Sequence, residues 1–299
     1  MLIIFALVII LVIIIWIKPY LIKYDTVCGF TGGLGCGKTF ESVNVAIREL
    51  RKNRLKTRIY NTFCPLFKRK KLEKPLLYSS IPVRISKKEM SEKLTIQHLL
   101  LQERIVKGSI VFLDEVDVWA NQFAHANPNV IEIISKKEVE KGDFAEGGIF
   151  DEHMRLFRHY HASECCEPKL IVNTQATSNI ITIIRRRICS VYVQSKFRVI
   201  KIPILHRLPF VGGFFKFYTY LVREITISDD IQNTSNDDIK DSFSRRLAFM
   251  PRIRHYDTHC YSDRVTSLIP TQSEKWDSMK TNRLLKCPIK RYDNKCTDE

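Results

Sequence analysis

Apolar residues form one uninterrupted run at the amino terminus of this chain. Residues 2–17 are all apolar, and residues 20–22 can extend the run if Lys18 snorkels. Together they approach the length of about 20 residues that a helix needs to cross a bilayer. A cleaved signal peptide is the competing interpretation, but there is no basic segment before the run and no small-residue cleavage site after it. The pattern predicts an uncleaved transmembrane anchor over residues 1–23.

The positive charges beside this run predict its orientation. Lys18 and Lys23 follow it, whereas only the terminal amine precedes it. Because basic residues stay on the cytoplasmic side, the remainder of the chain is expected in the cytoplasm. Residues 202–221 are also rich in apolar residues, but His206, Arg207 and Lys216 make them unsuited to hydrocarbon. Their alternating aromatic residues favour a strand instead.

Short apolar runs alternate with amphipathic stretches through the rest of the chain. This alternation is typical of an α/β fold with a mainly parallel sheet flanked by helices. Strands are predicted at residues 25–31, 76–85, 109–113 and 169–172, and helices at residues 39–50, 96–106 and 151–161. Residues 121–150 resemble an insertion. Residues 228–241 are polar, so the chain divides into the anchor (1–23), one catalytic domain (24–227) and a polar linker with a basic C-terminal segment (228–299).

Composition adds a strong positive charge. The 299 residues contain 48 Lys and Arg against 32 Asp and Glu, a formal net charge of +16 that favours contact with polyanions. Residues 51–75 hold ten of the cations and a single acid, Glu73. They suit a nucleic-acid backbone or lipid headgroups, or they form only a solvated basic insertion. Nine cysteines without a CxxC pair are typical of reduced thiols in the cytosol.

A phosphate-binding motif lies between the first predicted strand and the first predicted helix. The sequence GGLGCGKT matches G-x-x-x-x-G-K-[ST], a loop whose backbone N–H groups surround phosphate at a helix N-terminus. We expect Lys38 to contact the β- and γ-phosphates of ATP, and the Thr39 hydroxyl to bind Mg²⁺. The predicted nucleotide-binding residues are Gly32, Gly33, Leu34, Gly35, Cys36, Gly37, Lys38 and Thr39.

Two acidic residues end the apolar strand IVFL. Asp114 is expected to hold Mg²⁺, and Glu115 is expected to act as the base that polarises the attacking water. The carboxyl ends of parallel strands are where ligands bind in such sheets, which supports both roles. An acidic strand end without a phosphate loop would be an ordinary surface turn.

Three further residues are candidates for the hydrolytic site. Gln175 ends the next apolar strand, where it could reach the γ-phosphate or the lytic water, or only bond backbone. Arg185, in the run 185–187, and Arg158 could each supply positive charge to the nucleotide of a neighbouring subunit. A solvated basic helix face is the commoner explanation for such arginines.

Taken together, the motifs TGGLGCGKT, VFLDE, FRHYH (157–161) and IVNTQ (171–175) resemble the Zot-like morphogenesis ATPases of filamentous phages. That family belongs to the FtsK/HerA branch of P-loop motors. The resemblance spans about residues 26–200, and its family-specific part is Arg158 and His159 placed shortly before a strand that ends in Thr-Gln. Familiar members carry their membrane span after the ATPase domain, whereas here it comes first. Any C-terminal activity outside the cell is therefore not expected.

The resemblance implies an ATPase that extrudes phage single-stranded DNA through the host inner membrane. Its implied partners are that DNA or its nucleoprotein, the membrane, and phage coat and assembly proteins. Motors of this kind work as homo-oligomeric, typically hexameric, rings. Two alternatives stay open: a translocase of double-stranded DNA for packaging or conjugation, and a membrane protein that binds nucleotide without hydrolysing it.

Overall fold

Eight strands form one mixed sheet in the computed structural model. The structure describes residues 10, 21–86, 88–116, 147–203, 205–207, 216–226, 240–250 and 255–256. The strands are β1 (Val27–Thr31), β2 (Leu77–Ser79), β3 (Glu92–Lys93), β4 (Ile110–Leu113), β5 (Lys169–Asn173), β6 (Ser190–Lys201), β7 (Lys216–Thr226) and β8 (Lys240–Phe249). Their order in the sheet is β3-β2-β4-β5-β1-β6-β7-β8. Within the described strands, β1 to β6 pair in parallel, and β7 and β8 add two antiparallel pairs, which confirms a mainly parallel α/β sheet.

Five α-helices in the described ranges accompany these strands, and their lengths differ from the predicted ones. They are α1 (Lys38–Phe63), α2 (Ile96–Leu99), α3 (Ile149–Arg155), α4 (Phe157–His161) and α5 (Thr182–Arg185). The helix predicted over residues 96–106 stops early because Leu101 adopts a left-handed backbone conformation, with φ of 59°. The one predicted over residues 151–161 is two short helices, since Leu156 leaves the helical region between them. The strand predicted over residues 76–85 is only three residues long.

Alternating side chains of the central strands fill a core on each face of the sheet. On one face, Phe30, Phe112 and Ile171 pack with apolar residues of α1. On the other, Leu113 and Val172 pack with residues of α3 to α5. Because strand side chains alternate while both faces are covered, the central strands read as continuous apolar runs, which explains why they were predictable.

The helix α1 is twice as long as its predicted span of residues 39–50. Residues 51–63, which were assigned to a basic insertion, continue it without interruption. None of them is Gly or Pro, and straight-chain Lys, Arg and Leu are good helix formers. The helix ends just before Pro65, where a 3₁₀ turn over Cys64–Phe67 begins. The first half of the basic stretch is therefore helical.

The antiparallel strand β7 is tied to α1 through buried polar groups. The Tyr218 hydroxyl of β7 donates to Glu41 Oε2 at 2.8 Å, and Glu41 also lies 3.5 Å from the Arg48 guanidinium. Satisfying the charges of a buried pair in this way fixes how β7 crosses the helix. Strand β8 pairs along all of β7. The sheet therefore extends beyond residue 227, into the part of the chain assigned to the linker and C-terminal segment.

The predicted anchor falls almost entirely outside the described residues. Of residues 1–23, the structure describes residue 10 and residues 21–23. No helix in the described part of the chain is long and apolar enough to cross a membrane. The anchor stays a prediction.

Candidate nucleotide site

The order of the central strands brings three loops to one edge of the sheet. Strand β5 lies between β1 and β4, and all three run in parallel. Their carboxyl ends carry the phosphate-loop motif after Thr31, the acidic pair after Leu113, and the sequence Asn-Thr-Gln at residues 173–175. The segments predicted to form the site are therefore neighbours in space.

Glycine is required at two positions of the phosphate loop. A Cβ on Gly32 would lie 2.5 Å from the backbone oxygen of Gln194, and one on Gly37 would lie 2.5 Å from the Phe197 ring. Gly37 also has φ of 82° and stands at the N-cap of α1, where it has no side chain to occupy the helix N-terminus. The loop therefore leaves the positive end of a long helix open to an anion. The side chain of Leu34 points away from the fold, with 85% of its surface exposed.

A buried cation stands at this helix N-terminus. Lys38 is only 7% exposed, yet it forms no ion pair with any residue that the structure describes. Burying an ammonium group without a partner is costly. A phosphate group in the loop would supply the missing charge, so Lys38 fits its predicted contact with nucleotide.

Thr39, Asp114 and Asn173 form a polar cluster below the loop. The Thr39 hydroxyl lies 3.4 Å from Asp114 Oδ1, and Asn173 Nδ2 lies 2.8 Å from Thr39 Oγ1. Asn173 Nδ2 also donates to Asp114 Oδ1. The Ser80 hydroxyl accepts from the backbone N–H of Asp114 at 2.8 Å and holds the end of β4 in place. The structure thus brings together the two residues predicted to bind Mg²⁺.

Burial controls the charge of Asp114. The carboxyl group is 3% exposed, and its burial raises the pKa of Asp114 to about 7. This value is the net result of burial and the nearby Glu115 carboxylate, which raise the pKa, and of Asn173, Lys38 and Thr39, which lower it. A carboxyl group with a hydroxyl beside it suits Mg²⁺, which commonly binds one or two protein oxygens together with substrate phosphates and water. A divalent cation here would favour the ionised form, so the residues present fit the metal.

Glu115 leaves β4 in an unusual backbone conformation. Its φ is 46°, in the left-handed region that non-glycine residues rarely adopt. Backbone strain of this kind concentrates at functional sites, where surrounding structure holds it in place. The side chain is partly exposed, whereas Asp114 beside it is buried. The turn thus places the two carboxyl groups differently. Asp114 is buried and suited to bind a metal, whereas Glu115 is accessible and suited to accept a proton from water.

The remaining candidates, Gln175, Arg185 and Arg158, lie at different places in the fold. Gln175 is at the same sheet edge, with an exposed side chain, and its backbone oxygen accepts from the Thr31 hydroxyl at 2.8 Å. Arg185 Nη1 lies 3.4 Å from the Ser178 backbone oxygen. Arg158 pairs with Glu167 at 2.9 Å, and Glu167 precedes β5, at the opposite edge of the sheet. Arg158 is therefore not brought to the phosphate loop of its own chain, and roles for these residues in a neighbouring subunit stay predictions.

Asn173 is the site residue that the sequence analysis missed. It was included only as part of the motif IVNTQ, although it bonds both predicted magnesium ligands and is fully buried. Its Oδ1 atom has no partner in the described structure, and so remains available to a ligand or water in the loaded site. A buried amide at the carboxyl end of the strand between the two motifs was the available signal.

Replacing Asn173 by alanine is expected to reduce Mg²⁺-dependent nucleotide affinity or turnover about 10- to 100-fold, as loss of a group that orients metal ligands commonly does. Titration of Mg²⁺ at fixed ATP would measure it. Asn61→Ala is the matched control, because Asn61 also makes two hydrogen bonds, to Leu72, but lies far along α1. Equal effects of the two substitutions would mean that Asn173 acts only through folding.

Comparisons with known proteins found matches among solved structures. A scan against family models and a search of curated proteins found no match. Among solved structures, the chain is similar to the N-terminal domain of zonular occludens toxin from Neisseria meningitidis, at 15% identity and a TM-score of 0.36, over 80% of this chain and 98% of that one. It is also similar to the genome packaging NTPase B204 from Sulfolobus turreted icosahedral virus 2 in complex with ATP-gammaS. That match has 10% identity and a TM-score of 0.33, and covers 76% and 98% of the two chains. Because these TM-scores are low, the function of the protein is inferred from the geometry of the site.

Proposed function

We propose that this protein is an ATPase whose catalytic site is the phosphate loop together with the ends of β4 and β5. The observation that carries the proposal is the contact of Thr39 with Asp114 beside a glycine loop that is followed by Lys38, which is buried and has no ion pair among the described residues. Two motifs separated by 75 residues converge there. A chance glycine-rich turn would not assemble a cation, a hydroxyl and a carboxyl group in this way.

Each residue has a distinct part in the proposed reaction. Lys38 and the loop N–H groups bind the phosphates, and Thr39 and Asp114 would hold Mg²⁺, which would supply positive charge to the phosphate oxygens. Glu115 takes a proton from water as the water oxygen bonds to the γ-phosphorus. The bond from that phosphorus to the bridging oxygen breaks, and ADP and phosphate leave. Gln175 orients the water or contacts the γ-phosphate from the adjacent strand end.

We also propose that the ATPase is anchored in a membrane. The run of apolar residues at 2–17 anchors the chain, and the basic residues after it keep the ATPase in the cytoplasm. The motif resemblance supports a motor that extrudes filamentous phage single-stranded DNA as a homo-oligomeric ring with coat and assembly proteins. A net charge of +16 suits a polyanionic cargo.

Replacing Lys38 by alanine is expected to weaken ATP binding about 10- to 100-fold, because a charge-assisted hydrogen bond contributes roughly 1.5–3 kcal/mol. Equilibrium binding of a fluorescent ATP analogue to the full chain in detergent would measure it. Lys52→Ala is the matched control: Lys52 lies on the same helix and pairs with Glu49 at 2.6 Å, far from the loop. Unchanged affinity in Lys38→Ala would remove the phosphate loop from nucleotide binding.

Stimulation of phosphate release by nucleic acid separates the motor hypotheses. The extrusion role predicts faster release with circular single-stranded DNA than with duplex DNA of equal nucleotide content. A response to duplex DNA alone would favour a translocase of double-stranded DNA, as in packaging or conjugation. Binding of ATP without any release would favour a membrane protein that uses nucleotide as a structural ligand.

A further inference from the structure

The second half of α1 carries an apolar stripe that no described residue covers. Leu55, Ile59 and Phe63 recur every four residues, so they lie on one side of the helix. They are 59%, 51% and 52% exposed, and Leu66 in the following turn is 75% exposed. A stripe of large apolar side chains facing water marks an interaction surface.

Positive charges border this stripe on both sides. Arg51, Lys56 and Arg58 are exposed on the helix, and all of residues 68–71, which are Lys or Arg, are exposed after it. A groove of about 780 Å³ between the helix and residues 71–75 is lined by the cations Arg51, Arg54, Arg58, Lys71 and Lys74.

Part of this charge is available to a ligand. Arg54 and Lys74 share the Glu89 carboxylate, at 2.8 and 2.9 Å. Arg58 and Lys71 have no acidic partner among the residues described. We call the apolar stripe, its flanking cations and residues 64–71 the distal α1 surface.

The distal α1 surface lies at the end of the fold opposite the nucleotide site. Asn53 Nδ2 donates to the backbone oxygens of Gly108 and Glu167, both at 2.8 Å, and these residues precede β4 and β5. Arg54 Nε donates to the oxygen of Pro75, just before β2. This part of α1 therefore lies along the amino-terminal edge of the sheet.

Ile22, which follows the N-terminal apolar run in the sequence, lies at the same edge. Lys52 Nζ donates to the backbone oxygen of Ile22 at 3.2 Å, where the chain leaves residues 2–17 and approaches β1. If those residues lie in a bilayer, as the proposed function holds, the distal α1 surface lies beside the point where the chain emerges. The inference rests on that function for this orientation only, because the apolar stripe and its cations are features of the folded domain.

We propose that the distal α1 surface is a second membrane contact, which docks on anionic lipid headgroups. The aliphatic side chains enter the boundary between headgroups and acyl chains, and the flanking cations bind lipid phosphates, as in amphipathic helices that lie in the interface. A nucleic-acid backbone would account for the cations and Phe63 could stack on a base, but Leu55, Ile59 and Leu66, the rest of the stripe, have no base-stacking surface. The combination of aliphatic stripe and cations therefore favours lipid for the basic residues 51–75.

The proposal has a consequence for the orientation of the ATPase domain relative to the membrane. From Lys38 to residues 55–63, α1 rises about 25–37 Å at 1.5 Å per residue. The phosphate loop at its other end thus lies that far along the helix from the lipid contact and stays accessible to cytoplasmic ATP. Contact at both the anchor and the distal α1 surface would hold the domain in one orientation, which the anchor alone would not.

Hydroxyl-radical footprinting of the full chain tests the proposal residue by residue. The chain is reconstituted with vesicles of phosphatidylcholine alone, or with part of it replaced by phosphatidylglycerol, and oxidation is measured by mass spectrometry. Modification of Ile59, Phe63 and Leu66 is expected to slow several-fold only with phosphatidylglycerol. Leu34 and Phe243, which are 85% and 66% exposed elsewhere in the fold, are internal controls.

A charge variant identifies the cause of any protection. Each Lys or Arg near an anionic surface contributes about fivefold in affinity, so the double change Lys70→Gln and Lys71→Gln should shift the docking equilibrium about 25-fold and remove most of the protection. The control variant, Arg223→Gln with Arg245→Gln, removes the same amount of charge from exposed positions on β7 and β8. It should retain the protection by phosphatidylglycerol.

The possible outcomes are distinct. Protection that is absent, that does not depend on phosphatidylglycerol, or that survives in the double variant would overturn the headgroup contact. Protection caused by DNA on phosphatidylcholine vesicles in place of anionic lipid would assign the surface to nucleic acid. Co-flotation with phosphatidylcholine vesicles reports separately on the N-terminal anchor, so failure of the anchor and failure of the distal α1 surface are distinguishable.

Discussion

Replacing Glu115 by glutamine is expected to lower ATP turnover about 10²–10⁴-fold, the range typical of losing a general base. Glutamine has nearly the same shape but cannot accept the proton of the attacking water. Because Lys38, Thr39 and Asp114 are untouched, ATP and Mg²⁺ should stay bound. Single-turnover phosphate release and equilibrium binding, measured on the same preparation, would separate the two effects.

A carboxylate outside the site provides the control. Glu92 is exposed on β3, the outermost strand on one side of the sheet. The substitution Glu92→Gln should leave turnover unchanged. Turnover of Glu115→Gln close to that of the wild type would remove Glu115 from the mechanism. Loss of ATP binding in parallel with turnover would instead show that Glu115 acts by shaping the site.

Cells that produce the Glu115→Gln protein in place of the wild type are expected to release almost no phage particles while replication continues. Circular single-stranded DNA coated with protein should accumulate inside them, since the cargo is made but not exported. Particle titre in the medium and intracellular single-stranded DNA would be measured together. Normal release would contradict the extrusion role.

Co-expression sharpens this prediction. A subunit that still binds ATP should enter the ring with wild-type subunits and halt it, so Glu115→Gln is expected to suppress release even beside the wild-type protein. A monomeric enzyme would lose activity only in proportion to the mutant fraction. Glu92→Gln, expressed at the same level, should leave release unaffected.

Much of this site could be predicted because its signals are local. The phosphate loop needs glycines at positions such as Gly32 and Gly37 for steric reasons that a short motif records. Asp114 and Glu115 follow a strand that is buried on both faces and is therefore an uninterrupted apolar run. Parallel strands deliver their carboxyl ends to one edge, so these motifs could be expected to meet.

What could not be predicted depends on long-range neighbours. Asn173 is recognisable as a site residue only once β5 is known to lie between β1 and β4, and strand order leaves no mark in the sequence. Ser80 supports Asp114 across 34 residues. The strand β8 follows a polar stretch that resembles a boundary, and its pairing with β7 determines that it joins the sheet.

The length of α1 shows the opposite difficulty. Its second half lacks the apolar buried face that makes amphipathic helices recognisable, because the buried residues Asn53 and Thr57 are polar and the apolar Leu55, Ile59 and Phe63 face outward. Charge dominated the pattern, so the segment resembled a solvated insertion. The helix changes the meaning of that charge, since it arranges scattered cations and apolar residues into the distal α1 surface.

Phosphate release from ATP by the wild-type full chain, with and without Mg²⁺, tests the central claim most directly. The account predicts multiple-turnover release that stops when Mg²⁺ is chelated, because Thr39 and Asp114 would then hold no metal beside the phosphates. Nucleotide should be recovered from the protein as ADP. Recovery of intact ATP bound to the protein in the presence of Mg²⁺, with no phosphate released, would contradict it.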